Sequence, residues 1–246
     1  MPLQVAVEAI KNCAGAFNKD EQSLYNVLAR STSQFREQIK MEFERTHRKD
    51  LVSEFKFKYS DESRYFAHCL LYTGSELDAF ILNKAMNPRD SGGPSFSEIG
   101  RQLEELKKVY VLFTKGSFVK ISASDNLIPI FAKSSIPHIL ALAESFEKRK
   151  YFEGYRGEYE ATLKSICEFI VNQHSYFAEF LKKNIEAGII EAVIIVACTR
   201  CEYDLSSISN CYASKYGTHL CQDISNRFGR THPAIVEGIH MLMGIK

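Results

Sequence analysis

The stretch of sequence that decides the fold is Val196-Ala197-Cys198-Thr199-Arg200, which continues through Leu205, Ile208, Tyr212 and Leu220. Two earlier segments follow the same pattern: Val27-Leu28-Ala29-Arg30-Ser31 leads to Ile39, Phe43 and Leu51, and Ile130-Phe131-Ala132-Lys133-Ser134 leads to Ile139, Leu142 and Phe146. In each copy a short apolar helix breaks at a small or basic residue, and a longer amphipathic helix follows. A period of tens of residues is typical of a duplicated supersecondary unit, no copy of which buries its apolar face alone.

The composition excludes several classes of protein. The chain has 246 residues, enough for a large core, and its formal net charge is +1. No bulk attraction to nucleic acid or to an anionic membrane is therefore expected. A membrane-spanning helix needs roughly 18 or more apolar residues, whereas the longest apolar run, 189–197, is shorter and contains Glu191. The segment Met1–Val5 lacks the basic and apolar regions of a signal peptide, and we expect a soluble protein of the cytoplasm.

Helical periodicity accounts for nearly every patterned segment, and the alternation that strands show is scarce. Residue types that favour the N-cap, the position just before a helix, occur at Asp20, Ser31–Ser33, Asp50 and Ser60. We therefore expect helices to begin at these places. The later predicted helices are 77–86, 96–113, 126–133, 136–149, 158–171, 176–187, 189–197, 202–215, 218–226 and 233–243. The segment Asn87–Pro94 has the Pro and Gly content of a linker, and we place the division between two halves there.

The repeated unit has a first helix, a turn, a short helix, a long helix, a short helix and a long closing helix, over about 70 residues. It resembles the annexin repeat. In the last copy the match runs through 176–181, Arg200, Asp204-Leu205, Lys215-Tyr216-Gly217 and Leu220, in the family's order and spacing. In the first copy it runs through Asp20-Glu21, Leu24, Arg30-Ser31, Ile39, Phe43 and Lys49-Asp50-Leu51.

The resemblance implies an all-α fold, in which annexin-like repeats of about five helices each pack into a slightly curved array. A complete annexin has four repeats, but the gap between the aromatic residues Phe43 and Phe146 is too short for two full ones. We therefore expect repeat 1 at 1–75, a remnant helix of repeat 2 with the linker at 76–95, a shortened repeat 3 at 96–173, and repeat 4 at 174–246. The short second repeat is either native architecture or a product of splicing, and the sequence allows both.

The resemblance also implies calcium sites, which are altered here. In the family, carbonyls of a Gly-x-Gly-Thr loop and a carboxylate about 40 residues later bind Ca²⁺, which takes six to eight oxygen ligands. The three corresponding loops read Ala14-Gly15-Ala16, Lys120-Ile121-Ser122 and, cut short before Ile189, Ala187-Gly188. Lys58 and Arg227 stand where two of the carboxylates would be. We expect no cofactor, and for calcium only weak binding at the degenerate loop of Gly15.

Lys58 and Arg227 are candidate contacts for a lipid phosphate, because a cation in place of calcium can bind the phosphate directly. Each cation near an anionic surface contributes about 1 kcal/mol, which predicts weak, salt-sensitive attachment. The alternative is that Lys58 and Arg227 are ordinary solvated charges that remain after the loss of a function. A third candidate is the cluster Lys148-Arg149-Lys150, which lies beside two aromatic residues. It either binds a headgroup or an acidic protein, or it closes the gap in the shortened repeat.

Two further patterns have a structural interpretation. Opposite charges alternate along 36–49, which is typical of a solvated helix face beginning at Arg36. Cys198 and Cys201 form a C-x-x-C without a second pair, which is a weak signal for zinc. We interpret Cys198 and Cys201 as thiols that pack between helices.

The functional expectation follows from the resemblance, because no catalytic motif is found. The sequence has no Gly-rich phosphate loop, nucleophile elbow or catalytic carboxylate pair, so we expect no enzyme. The resemblance implies a peripheral protein that binds an anionic phospholipid membrane from the cytoplasm, with calcium dependence weak or lost. The alternative is a structural or cytoskeletal interaction protein without membrane binding, and an enzyme of unrecognised type is a third hypothesis. Nucleic acid is not an expected partner.

Overall fold

The structure is a computed structural model that describes residues 1–14, 20–55, 59–86 and 158–244, together with 135, 137–139, 141 and 144. Every regular element in these residues is a helix, so the all-α prediction is confirmed. The chain divides into two compact units, of which unit 1 comprises Met1–Ile81 and Ala178–Lys246, and unit 2 comprises Leu82–Phe177. The repeat bounds given above stay a prediction.

The chain begins with five helices: α1 is Leu3–Ala14, α2 is Glu21–Leu28, α3 is Ser33–His47, α4 is Leu51–Glu54 and α5 is Asp61–Leu71. The next described helices are α6, Gly74–Met86, α7, Glu158–Val171, and α8, Gln173–Ala187. The last four are α9, Ile190–Arg200, α10, Leu205–Tyr216, α11, Leu220–Phe228, and α12, Pro233–Leu242. We call α1–α5 the first set and α8–α12 the last set.

Side-chain caps begin four helices of the first set, as the sequence predicts. Asp20, Thr32, Asp50 and Ser60 each accept a hydrogen bond from a backbone N–H two or three residues further on. The bounds of α6 to α12 lie within three residues of the predicted ones. No capping residue precedes α1, and its helical state is not predicted above. The predicted helices 96–113 and 126–133, and most of 136–149, lie outside the described residues.

The second helix of each set packs against the last helix of the other set: α2 contacts α12, and α9 contacts α5. Tyr25 of α2 and Phe66 of α5 are fully buried, and their ring centroids lie 4.7 Å apart. A Cβ atom on Gly238 of α12 would lie 2.5 Å from Cε1 of Phe66. The helix α12 therefore reaches its place against these rings because residue 238 has no side chain.

Arg36 does not belong to a solvated face, because its exposed fraction is only 3%. Its Nη1 donates hydrogen bonds to the carbonyl groups of Leu28, at 3.2 Å, and Ser31, at the C-terminus of α2, where carbonyls lack helical partners. Its Nη2 lies 3.7 Å from the carboxylate of Glu202, which also accepts hydrogen bonds from the backbone N–H and hydroxyl of Ser33. We call these five residues the Arg36 clamp. The prediction is wrong for Arg36, because charge spacing along α3 does not reveal what packs against its first turn.

Asp223 of α11 connects three helices of the last set. Its Oδ2 accepts hydrogen bonds from the hydroxyl groups of Tyr212, at 2.7 Å, and Thr218, at 3.0 Å, and from Nζ of Lys182, at 3.3 Å. Burial raises the pKa of the Asp223 carboxyl, but these hydrogen bonds lower it by more, and the pKa lies below the ordinary value of 3.8. A group with a lowered pKa stabilises the fold while it is ionised, so this cluster is expected to weaken in acid.

We expect Asp223→Asn to lower the free energy of unfolding by about 1–2 kcal/mol at pH 7. Because an unfolded aspartate titrates near pH 3.9, the stabilisation is complete above about pH 5 and is lost as the pH falls through the lower folded pKa. Urea unfolding at neutral and strongly acidic pH measures both effects, and the variant and the parent should converge in acid. Glu186→Gln is the matched control, since Glu186 pairs with the same Lys182 but is 65% exposed. A difference for Asp223→Asn that does not change with pH would contradict this assignment.

Candidate functional site

The turn between α8 and α9 consists of Gly188 and Ile189. The N–H of Ile189 donates to the carbonyl of Asn184 at 2.9 Å, and the N–H of Gly188 donates to the carbonyl of Ile185 at 3.1 Å. This pair of hydrogen bonds is the one that ends a helix at a glycine. The φ of Gly188 is +77°, in the left-handed region that glycine adopts without strain. The turn is therefore a tight helix cap rather than an open loop with converging carbonyls.

The guanidinium of Arg227 lies directly against this turn. A Cβ atom on Gly188 would overlap Nη2 of Arg227 and would lie 2.9 Å from its Cζ. Cζ of Arg227 also lies 5.8 Å from the ring centroid of the buried Phe228, a distance typical of a cation–π contact. Arg227 is nonetheless exposed. Gly188 and Phe228 thus position a guanidinium that solvent can reach.

The loop that follows α11 adds polar groups beside Arg227. Arg230 and Thr231 are exposed, and His232 is half-buried. Both α9 and α12 begin without a side-chain cap, so their first N–H groups keep a partial positive charge. Arg230 and His232 are not among the site residues predicted from the sequence. The signal for them is the run Arg227-Phe228-Gly229-Arg230-Thr231-His232, in which Arg230 and His232 follow Arg227 between the end of α11 and the start of α12.

The residues at this turn do not fit calcium. Calcium takes six to eight oxygen ligands, whereas the side chain against Gly188 is a guanidinium, which only donates hydrogen bonds and repels cations. The N–H groups of Gly188 and Ile189 are already used within the cap. The Arg227 guanidinium instead fits an anion, because a guanidinium binds two oxygens of a phosphate through parallel N–H groups.

Of the predicted site residues, the structure describes Arg227 alone. Gly15, Lys58 and the cluster Lys148-Arg149-Lys150 lie outside the described residues. Their roles, and the weak calcium loop at Gly15, stay predictions. Among the described helices, none is long and apolar enough to span a membrane.

Comparison with solved structures identifies the fold. Annexin III matches with a TM-score of 0.76 and 17% identity, over 99% of this chain and 94% of that one. Chicken annexin V matches with a TM-score of 0.73 and 18% identity, over 99% of this chain and 96% of that one. This chain is an annexin-like protein. A calcium-bound annexin designated (Sm)1 matches the annexin-like chain with a TM-score of 0.66 and 16% identity, over 100% and 91% of the two chains.

The annexin-like chain is also similar in sequence to curated annexins. It is 23% identical to human annexin A7 over an alignment of 298 residues, which covers 93% of this chain and 60% of that protein. It is 24% identical to annexin A7 of Dictyostelium discoideum over 233 residues, which cover 91% of this chain and 46% of that protein. The annexin-like chain therefore spans between 46% and 60% of the length of these two relatives. No protein-family profile matches the chain.

Proposed function

We propose that this annexin-like protein binds anionic phospholipid at a membrane surface, with Arg227 in contact with the lipid phosphate in place of calcium. The observation that supports the proposal is the position of the guanidinium against Gly188. A relative of the same fold has been solved with calcium bound. Here a fixed cation lies at a turn that the resemblance matches to a calcium loop. The protein then acts as a non-enzymatic, peripheral membrane protein on the cytoplasmic side.

The chemistry at Arg227 favours a phosphate ligand. A phosphodiester has two non-bridging oxygens, and a guanidinium can donate to both of them at once. A lysine at the same place would act as a single point charge. Phe228 and Gly188 hold the guanidinium in place, so less conformational entropy is lost when it binds than for a free side chain.

The energy of the site predicts weak attachment. One cation near an anionic surface contributes about 1 kcal/mol, and Arg230 adds a second cation in the next loop. Lys58 and the cluster Lys148-Arg149-Lys150 are proposed as further contacts. A few such contacts give reversible binding that falls with salt, because the Debye length is about 10 Å at 0.1 M salt. Binding of this kind does not depend on calcium.

Sedimentation with vesicles that contain phosphatidylserine tests the proposal. The protein should pellet in the presence of a chelator at low salt, and moderate salt should release it. Vesicles of phosphatidylcholine alone should not pellet it. Pelleting that requires calcium would contradict the proposed role of Arg227. The absence of pelleting in every condition would favour the alternative, a structural or cytoskeletal interaction protein.

We expect Arg227→Glu to lower the vesicle partition coefficient roughly 30-fold at low salt, because about 1 kcal/mol of attraction is lost and a similar repulsion is added. Arg45→Glu is the matched control, since it changes the net charge equally at a side chain on α3 that is 72% exposed. Arg227→Lys should bind at an intermediate level, because it keeps the charge but not the paired donors. A double variant, Lys58→Glu with Arg227→Glu, that pelleted as well as the parent would refute the phosphate contact.

A further inference from the structure

Tyr203 differs from the other tyrosines whose side chains the structure describes. It is 81% exposed, and its hydroxyl group has no hydrogen-bond partner among the described residues. The other described tyrosines are buried or half-buried: Tyr25, Tyr59, Tyr65, Tyr72, Tyr176, Tyr212 and Tyr216. Within this group, Tyr203 is therefore the one whose hydroxyl a second macromolecule can reach while the chain stays folded.

The turn that carries Tyr203 is held by its own contacts. The N–H groups of Tyr203 and Asp204 both donate to the carbonyl of Arg200, each at 3.1 Å. The Arg200 guanidinium lies 5.7 Å from the centroid of the Tyr203 ring, a distance typical of a cation–π contact. The same guanidinium donates to the Asp204 carboxylate at 2.7 and 2.6 Å. The tyrosine ring thus projects into solvent from a fixed support.

Both sequence neighbours of Tyr203 are acidic, Glu202 on one side and Asp204 on the other. The Glu202 carboxylate accepts a hydrogen bond from the Ser33 hydroxyl, but its side chain is still 39% exposed. An enzyme that accepts this segment needs a slot for an aromatic ring with basic residues beside it. Complementary charge patterns of this kind give kinases much of their substrate specificity.

We propose that Tyr203 is a phosphorylation site for a protein tyrosine kinase that prefers acidic residues beside its target. The hydroxyl oxygen of Tyr203 attacks the γ-phosphorus of ATP, the bond from that phosphorus to the bridging oxygen breaks, and ADP leaves. The hydroxyl proton passes to a base of the kinase, and nothing is oxidised or reduced. The phosphate adds about −1.5 to −2 charge at pH 7, enough to reverse the formal net charge of +1.

The site lies at the far end of α9 from the proposed lipid contact. Gly188 and Ile189 precede α9, whereas Tyr203 follows its last residue, Arg200. A helix of 11 residues is about 16 Å long, which exceeds the Debye length of about 10 Å at 0.1 M salt. The modification does not depend on the proposed membrane binding. Its charge should change vesicle binding by no more than about twofold at that salt.

The test incubates the full chain with magnesium, ATP and each of a panel of purified tyrosine kinases, and mass spectrometry after digestion locates the phosphate. The expected result is phosphate on Tyr203 with kinases that prefer acidic substrates, at a rate that mild urea leaves unchanged. The rate is corrected for the activity of the kinase on a peptide substrate in the same urea. No phosphate on Tyr203 with any kinase would overturn the proposal. A corrected rate that rises steeply with urea would do so too, because the hydroxyl would then be reached only after local unfolding.

Three variants identify the site and its recognition. Tyr203→Phe should take up about one phosphate per chain less than the parent and keep the same melting temperature, because the ring over Arg200 remains. Undiminished uptake would refute the site. Tyr216→Phe is the matched control, since Tyr216 is half-buried on α10, and it should be phosphorylated as the parent is. Glu202→Gln should slow the reaction by up to roughly fivefold, and an unchanged rate would refute recognition of the acidic neighbours.

The same reaction on protein bound to phosphatidylserine vesicles, with calcium chelated, tests the placement of the site. Tyr203 should be phosphorylated on the vesicles about as fast as in the free chain, because it lies at the other end of α9 from Arg227. Protection of Tyr203 by the vesicles would overturn that placement. A chain that does not pellet refutes the proposed membrane binding instead, and phosphorylation of the free chain still decides the role of Tyr203.

Discussion

Replacing Gly238 with leucine is expected to lower the free energy of unfolding by about 3 kcal/mol or more. Even a Cβ atom at this position would lie 2.5 Å from Cε1 of Phe66 and 3.3 Å from Cβ of Tyr25. Both aromatic residues are fully buried, so neither can move away without disturbing the core. Overpacking of this kind costs about 1–3 kcal/mol for small additions, and leucine adds more atoms than that.

Urea denaturation measures this effect, and a rescue experiment identifies its cause. Gly238→Ala should cost about 1–2 kcal/mol, because alanine's better helix propensity offsets part of the clash. The double variant Gly238→Ala with Phe66→Leu should lose less stability than the sum of the two single losses, since Phe66→Leu removes the contacted ring atoms. Glu237→Ala, at an exposed position on the same helix, is the control and should be close to neutral. Strict additivity would contradict the proposed clash.

Replacing Arg36 with methionine is expected to cost about 3 kcal/mol of stability. The change removes the side-chain donor to the carbonyl groups of Leu28 and Ser31, of which Leu28 keeps the backbone N–H of Ser31, and it removes the cation beside Glu202. Breaking a buried pair by removing one member typically costs about 3–5 kcal/mol. We place this pair at the lower end, because the side chain of Glu202 is 39% exposed.

Thermal and urea unfolding of matched variants test the Arg36 clamp. Arg36→Lys should recover part of the loss, because the charge remains while the two-pronged donor does not. Glu202→Gln should cost only about 1 kcal/mol, since water can reach that side chain and the amide can still accept from Ser33. Equal losses for Arg36→Met and Arg36→Lys would show that the donor geometry, rather than the charge, matters. A neutral Arg36→Met would refute the clamp.

Local signals predicted the helices well, because their causes lie within a few residues. The caps at Asp20, Thr32, Asp50 and Ser60 are visible in the sequence, since each side chain bonds to its own chain two or three residues on. The prediction of a solvated Arg36 is wrong because its partner Glu202 is 166 residues away. No periodicity within α3 carries information about that partner.

The candidate site was predicted only in part, for a similar reason. The match to a family carboxylate singles out Arg227 in the sequence, but its contact with Gly188 depends on how α11 packs near the α8–α9 turn. The sequence could show that Gly188 lacks the usual loop. It could not show that the guanidinium fills the space left by the missing Cβ.

The reciprocal packing of the two sets has a consequence for biosynthesis. The surfaces of α2 and α5 are covered by α12 and α9, which leave the ribosome only after residues 82–177 have been translated. At roughly 5–20 residues per second, translation of residues 82–177 alone takes about 5–20 s. During that interval Tyr25 and Phe66 stay open to water, so the nascent chain presents an apolar surface that chaperones bind. Pairing between such distant segments also makes the final folding step slow.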